Sequence, residues 1–219
     1  MHKISMKKIS QIKVSRLILY RKILNNLKKQ AVTNVYSHTL SELSGFSPAQ
    51  VRRDLMEVGY TGTPAKGYNV ENLFISLTNY LEFPEGQGVA IIGLGNLGKA
   101  ILDYCYGRSP KIFIVAAFDI DPEKVGKIFN ETKCYHINDL EKVIINDNIK
   151  IAVLAAPPQD AQEIAERLIK SGVNGILNYS PIKLNVPANV YVENRDMMMA
   201  LQQTAYFSKI LEQESVLLK

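Results

Sequence analysis

The chain's 219 residues suit one large domain or two small ones, and a 47% hydrophobic content can fill a real core. No apolar run approaches the roughly 18 residues of a membrane span, the basic N-terminus MHKISMKKISQIKVSR lacks the apolar stretch of a secretory signal, and two cysteines, Cys105 and Cys134, make neither a disulfide framework nor a metal-spacing pattern. The formal net charge of +5 is uneven: residues 1–84 hold 12 Lys and Arg against 5 Asp and Glu, and residues 85–219 hold 14 against 16. Such asymmetry fits a nucleic-acid-binding module joined to another domain in a cytoplasmic protein, although a solvated basic surface has the same count.

In chain order, Ser15 is placed to cap a first helix from Arg16 to about Gln30, with Leu17, Tyr20, Ile23, Leu24 and Leu27 on one face. A short helix follows over Thr39–Leu43, and Gly45 breaks it. Ser47-Pro48 then starts a third helix that runs to about Val58, with proline in its first turn. Two short helices joined by a tight glycine turn, the second one basic, predict a helix-turn-helix. The stretch from Gly59 to Tyr68 suits a small β-hairpin, or wing, and Asn72–Leu81 a further helix. In a winged helix the third helix enters the major groove. Ser47, Gln50, Arg52 and Arg53, with Lys66 and Tyr68 of the wing, are therefore the candidate DNA-binding residues. Gln50 can read adenine and an arginine guanine, while one of the two arginines meets phosphate. Val51 and Leu55 should face the core.

Pro84 and two glycines in LEFPEGQG mark a domain edge. Beyond it the rhythm is βαβαβ. Strands are predicted at Val89–Ile92, Ile112–Phe118, Cys134–His136, Ile151–Ala155, Gly175–Asn178 and Val190–Glu193. Helices are predicted at Asn96–Tyr106, Pro122–Phe129, Asp139–Asn146 and Gln159–Ser171. This alternation predicts an α/β fold, a Rossmann-like doubly wound parallel sheet. Asp196–Lys219 reads as a long amphipathic helix with Met197, Leu201, Thr204, Ala205, Phe207, Ile210 and Leu211 in one band. It would either fold back on its own sheet or dock on another subunit. The domains are then 1–84, 85–195 and 196–219.

The first strand runs into Gly93-Leu94-Gly95-Asn96-Leu97-Gly98 and then a helix, which is the context a dinucleotide-binding turn requires. Gly93 permits the tight turn, Gly95 lets backbone approach a pyrophosphate, and Gly98 lets helix pack on strand. Asp119 ends the second strand, 21 residues after Gly98. A carboxylate there accepts from a ribose 2′-hydroxyl and repels a 2′-phosphate, favouring NADH/NAD+ over the phosphorylated cofactor.

Taken together, RLxxY at 16–20, SPAQVRRDL at 47–55, GxGNLG at 93–98, AAFDIDPEKVG at 116–126, AAPPQDAQEIAERL at 155–168, GILNYSP at 175–181 and VPANVYVENRD at 186–196 resemble the Rex family, redox-sensing transcriptional repressors of bacteria. The resemblance spans nearly the whole chain. It implies a homodimer that binds a pseudo-palindromic operator when NADH is low, is released by NADH, and exchanges its C-terminal helix between protomers. It also implies that Pro157, Asn178, Tyr179, Ser180 and Pro181 lie near the nicotinamide, with Tyr104 and Tyr179 as wall residues. Arg16, Tyr104 and Asp196 fall where such proteins couple domain position to cofactor state, through a charge-assisted bond between Arg16 and Asp196.

The chain departs from the family pattern at Ile18, at Met56-Glu57-Val58-Gly59, at the wing tip Thr63-Pro64-Ala65-Lys66 and at Tyr179-Ser180, whose hydroxyls bear on how NADH and NAD+ are told apart. A weaker wing implies fewer phosphate contacts and a shallower salt dependence. Three rivals stand beside this expectation: an NAD-dependent oxidoreductase with a helical N-terminal domain, a CoA-binding module, and a DNA-binding protein indifferent to NADH. None of His2, His38 and His136 is placed as a catalytic acid or base, and no catalytic or metal-ligating residue is assigned. Cys105, at the end of the glycine-turn helix, is a candidate redox thiol.

Overall fold

A computed structural model describes residues 10–63, 66–82, 85–109 and 111–217. The basic residues 1–9, the wing tip Pro64-Ala65 and Pro84 of the domain edge lie outside them. The chain divides into two compact units, Met1–Glu85 and Gly86–Lys219.

In the first unit α1 (Gln11–Lys29) begins five residues before the predicted start. Ser10, not Ser15, takes the cap position and accepts from the Lys13 N–H. Leu17, Tyr20 and Leu24 are buried as one stripe. A short strand β1 (Asn34–Val35) leads to α2 (Ser37–Ser44), which Gly45 ends in the left-handed conformation at φ 76°. Helix α3 (Pro48–Glu57) starts on Ser47, whose hydroxyl accepts from the Gln50 N–H at 3.2 Å, and buries Val51 and Leu55 in the unit's core. The predicted wing takes a different form. Thr63 and Gly67 make a single antiparallel bridge, and β2 (Tyr68–Asn69) pairs with β1 instead of with the incoming arm. Gly67 permits this close approach, because a Cβ there would stand 2.5 Å from the Val35 carbonyl. Helix α4 (Val70–Leu81), capped by Asn69, closes the core with Val70, Leu73 and Leu77.

The second unit is a seven-stranded sheet: β3 (Gln87–Ile92), β4 (Ile112–Asp119), β5 (Ile128–Phe129), β6 (Thr132–His136), β7 (Ile151–Leu154), β8 (Gly175–Asn178) and β9 (Tyr191–Asn194), in the order β5-β6-β4-β3-β7-β8-β9. All neighbours are parallel except β5 and β6. Helices α5 (Asn96–Cys105), α6 (Leu140–Asn146) and α7 (Pro158–Lys170) cover its faces. Alternate residues serve the two sides: Ile92, Phe118 and Leu154 pack with α6 and α7, while Ile91, Ala117 and Val153 pack with α5. The strand order reverses between β3 and β7, and the crevice at such a switch point is where doubly wound sheets take ligands.

Two elements differ from expectation. Residues 122–129 do not form a helix. Asp121 caps one turn, Gly126 stops it at φ 84°, and the chain then doubles back as β5. Helix α8 (Met197–Leu217) carries no single apolar stripe. Met198, Met199 and Tyr206 are exposed together with Met197, Leu201, Phe207 and Leu211. No helix among the described residues is long and apolar enough to cross a membrane.

Candidate functional site

A cavity of about 710 Å³ opens at the carboxyl ends of β3, β4 and β7. Gly93 turns the chain at φ 93°, and a Cβ there would lie 2.6 Å from the Ala155 carbonyl. Gly98 sits so close to that turn that a Cβ would come within 1.8 Å of the Gly93 oxygen. Gly95 differs: its backbone is extended and a Cβ would meet nothing within 4 Å. The chain's own packing therefore leaves room for a Cβ at 95. Gly95 also gives α5 no side-chain cap, which leaves its first-turn N–H groups for an anion.

Asp119 stands at the rim. Its Oδ2 accepts from the Leu94 N–H at 2.8 Å and from Lys124 Nζ at 3.2 Å, and its Oδ1 accepts from the Asp121 N–H at 2.9 Å. Burial pushes this carboxyl up, but the Asp121 N–H, the Lys124 ammonium and the Leu94 N–H together hold it below the usual carboxylate range. A carboxylate offers about four acceptor positions, so one remains on Oδ1 for an incoming hydroxyl.

The structure brings Gly93, Gly95, Leu97, Asp119, Pro157 and Tyr179 together around this cavity. Others of the predicted set do something else. Leu94 is buried and its N–H is spent on Asp119. Asn178 is buried: its amide donates to the Ile182 carbonyl and to Asn194, and its oxygen accepts from the Ser180 N–H. The buried Ser180 hydroxyl donates to the Ala156 carbonyl at 2.6 Å, so it is not presented to a ligand. These two residues shape the turn that aims Tyr179. Asn96 and Pro181 are exposed and outside the lining. Tyr104 is no wall of this cavity; it is exposed, with the Arg108 guanidinium 4.1 Å above its ring.

Several lining residues escaped the sequence reading. Asp160, Glu163, Ile164 and Arg167 recur at helical spacing, which turns one face of α7 to the cavity. Arg167 is clamped bidentately on Glu141 at 2.6 and 3.0 Å and donates to the Ile137 carbonyl, which fixes α7 to α6. Ile120 and Lys124 follow Asp119 closely and could have been inferred from its role. Burial pushes the Cys105 thiol up, against a small opposing pull from Arg108. A thiol so placed is not an activated nucleophile.

In the first unit Arg52 and Arg53 are exposed on α3, and Arg52 donates to the Ser37 hydroxyl at 3.0 Å. Lys66 is exposed. Tyr68 is not available to a groove: it is buried in the core beside Tyr60, where it supports the turn. Arg16 is not a loose surface ion. Its Nε and Nη2 bond the buried Asp54 carboxylate at 2.6 and 2.8 Å. Asp196 caps α8, accepting from the Met199 N–H at 3.0 Å. Among the described residues, no group of three or more His, Cys, Asp or Glu is gathered to hold a metal.

Comparison with known proteins places both units. A family model described as a CoA binding domain matches residues 85–182, and one described as "Putative DNA-binding protein N-terminus" matches residues 8–55. The redox-sensing transcriptional repressor Rex of Listeria welshimeri is 38% identical over 200 residues, covering 91% of this chain and 93% of that protein. The crystal structure of RSP in complex with β-NAD+ and operator DNA superposes with a TM-score of 0.87 at 33% identity, covering 95% of this chain and 96% of that one. RSP in complex with β-NADH gives 0.85 at 32%, covering 96% and 99%. The chain belongs to the Rex family of redox-sensing transcriptional repressors.

Proposed function

We propose that this chain is a cytoplasmic repressor that binds operator DNA through α3 and the turn at Lys66, binds NADH and NAD+ in the cavity of the second unit, and leaves DNA when NADH fills it. The observation that carries the second half is Gly95 beside Asp119. One leaves open space at the helix start that a pyrophosphate would fill, and the other keeps one acceptor position at the end of β4. Gly93, Gly95 and the first turn of α5 would hold the pyrophosphate, Asp119 the adenosine ribose, and Tyr179 with Pro157 the nicotinamide end. Such a cofactor presents a neutral ring when reduced and a positive one when oxidised. The apolar lining of Ile92, Ala155, Ala156 and the Tyr179 ring disfavours the charged form, and the carboxylates of Asp160 and Glu163 on α7 oppose that preference wherever the ring approaches them.

The exposed apolar side chains of α8 fit a second copy of the chain, giving a two-fold dimer suited to a pseudo-palindrome. We infer no catalysis. The relatives are named repressors, the cavity lining holds no histidine, and Lys124 is committed to Asp119 and Asp121.

The test is fluorescence polarisation against duplexes selected from a random pool, titrated with NADH, NAD+ and CoA. The expected result is release by NADH at concentrations where NAD+ leaves the complex intact and CoA does nothing. DNA binding indifferent to NADH, with no shift of the thermal midpoint at saturating NADH, would overturn the sensor, because a ligand bound by the folded state must stabilise it. Release by CoA in place of NADH would reassign the cavity to CoA.

A further inference from the structure

The carboxylate of Asp54 has no exposed surface, yet it lies on the helix assigned above to the major groove. Four hydrogen bonds converge on it. Arg16 supplies two, the Tyr20 hydroxyl one at 3.2 Å, and Gln50 Nε2 one at 2.8 Å. Arg16 and Tyr20 belong to α1, while Gln50 and Asp54 are one turn apart on α3. A buried ion pair is weak grounds for stability, but it can fix one arrangement against others.

Chemistry settles which way the Gln50 amide points. A carboxylate paired to a guanidinium only accepts, so Gln50 must turn its NH₂ group inward. That bond uses one of the two amide hydrogens. The remaining N–H and Oε1 are the donor–acceptor pair that matches N7 and N6 of adenine in the major groove. Without Asp54 a glutamine amide rotates and flips between equivalent orientations. With it, one edge is chosen before DNA arrives.

We propose that Asp54 is a positioning residue for sequence readout: held by Arg16 and Tyr20, it presets the Gln50 amide so that α3 selects adenine at one place in each half-site. The proposal rests on the DNA-binding function proposed above. Asp54 touches no base, so its effect reaches DNA only through Gln50. The arrangement also gives α1 control over a base-reading side chain on α3.

The experiment is selection of operators by the full chain from a randomised duplex pool, with half-site preferences measured for wild type, Asp54→Asn, and Asp54→Asn combined with Gln50→Glu. Wild type should prefer adenine at one position by about 10-fold, within the range of a bidentate contact. Asp54→Asn should reduce that preference to about 3-fold or less, about a third of the wild-type value, while affinity for random DNA stays near wild type at temperatures below its melting transition, which loss of the charge facing Arg16 lowers. The double variant reverses the bond: the amide introduced at 54 donates outward to the carboxylate introduced at 50, which keeps an oxygen to accept from a base. Its preference should move to cytosine, whose N4 amine donates. A merely structural role for Asp54 predicts no such exchange.

Adenine preference intact in a folded Asp54→Asn would overturn the proposal. Should that variant not fold, Gln50→Glu in the otherwise native chain decides. Two facing carboxylates cannot hydrogen-bond, so preference at that position should vanish, and a clean transfer to cytosine with Asp54 present would overturn it. Absence of any sequence preference in the wild type would overturn the parent function as well, which distinguishes the two failures.

Discussion

Asp54 and Asp119 are both aspartates held below the usual carboxylate range, and they are held by opposite means. Asp54 is sealed in the core of the first unit and saturated by side chains from two helices: Arg16 twice, Gln50 and Tyr20. Asp119 sits at a cavity rim and, against the upward push of burial, is held by backbone N–H groups of two turns and by the Lys124 ammonium. A carboxylate fixed by side chains fastens helices to one another. One fixed by backbone keeps its outer face toward whatever enters the cavity. The residue type is the same, and the donor set decides whether it is internal or external machinery.

The largest break in this contrast should come from Arg16→Ala. It strips the bidentate partner from a buried charge, a loss of about 3–5 kcal/mol, and should melt the first unit. Circular dichroism melts would show an early transition, with thermal protection of the second unit by NADH retained. Loss of NADH protection as well would mean that the units are not separable. A smaller effect is expected for Asp119→Ala, about 1.5–3 kcal/mol in ligand affinity for a lost charged hydrogen bond. NADH and NAD+ should both weaken and NADPH should gain relative to them in calorimetric titrations, with the first unit's melt unmoved. Unchanged NADH affinity would remove Asp119 from the ribose.

The mildest effect is on acid stability. Both folded carboxyls lie below the unfolded value of about 3.9, so their stabilisation is complete above that pH and drains away as pH falls through their folded values. Melts from about pH 6 down to about pH 2.5, a range that brackets that unfolded value, should lose that slope for the first unit in Asp54→Asn and for the second in Asp119→Asn. A slope unchanged in either variant would mean that its carboxylate is not what acid protonates.

What could be read in advance followed from local geometry. Gly93 and Gly98 announce themselves because only glycine fits a left-handed turn and a 1.8 Å approach to backbone. The parallel sheet was legible because each βα unit is punctuated within a few residues. The Asp54 hub was not, since Arg16 and Asp54 are 38 residues apart and an aspartate after two arginines looks like a solvated helix face. Tyr68 read as a wing aromatic because its hydroxyl and its neighbours are polar, yet its ring fills the core. Residues 122–129 have helical composition. Gly126 and the pairing of β5 with β6 outweigh it, and that pairing is tertiary. Ser180 and Asn178 lie at a motif position near the cavity, but their bonds to Ala156, Ile182 and Asn194 turn them inward.

Helix α8 carries a consequence for the amount of protein in a cell. Twenty-one residues of helix with Met197, Leu201, Phe207 and Leu211 turned to water gain their stability from being covered, since isolated helices are marginal. In the proposed dimer that cover is another copy, so occupancy of the helix rises with abundance. A freshly diluted or poorly expressed chain would present α8 to proteases first, and its lifetime would lengthen as its own copy number grows. Expression level thereby becomes part of the set-point of a regulator whose other input is a small molecule.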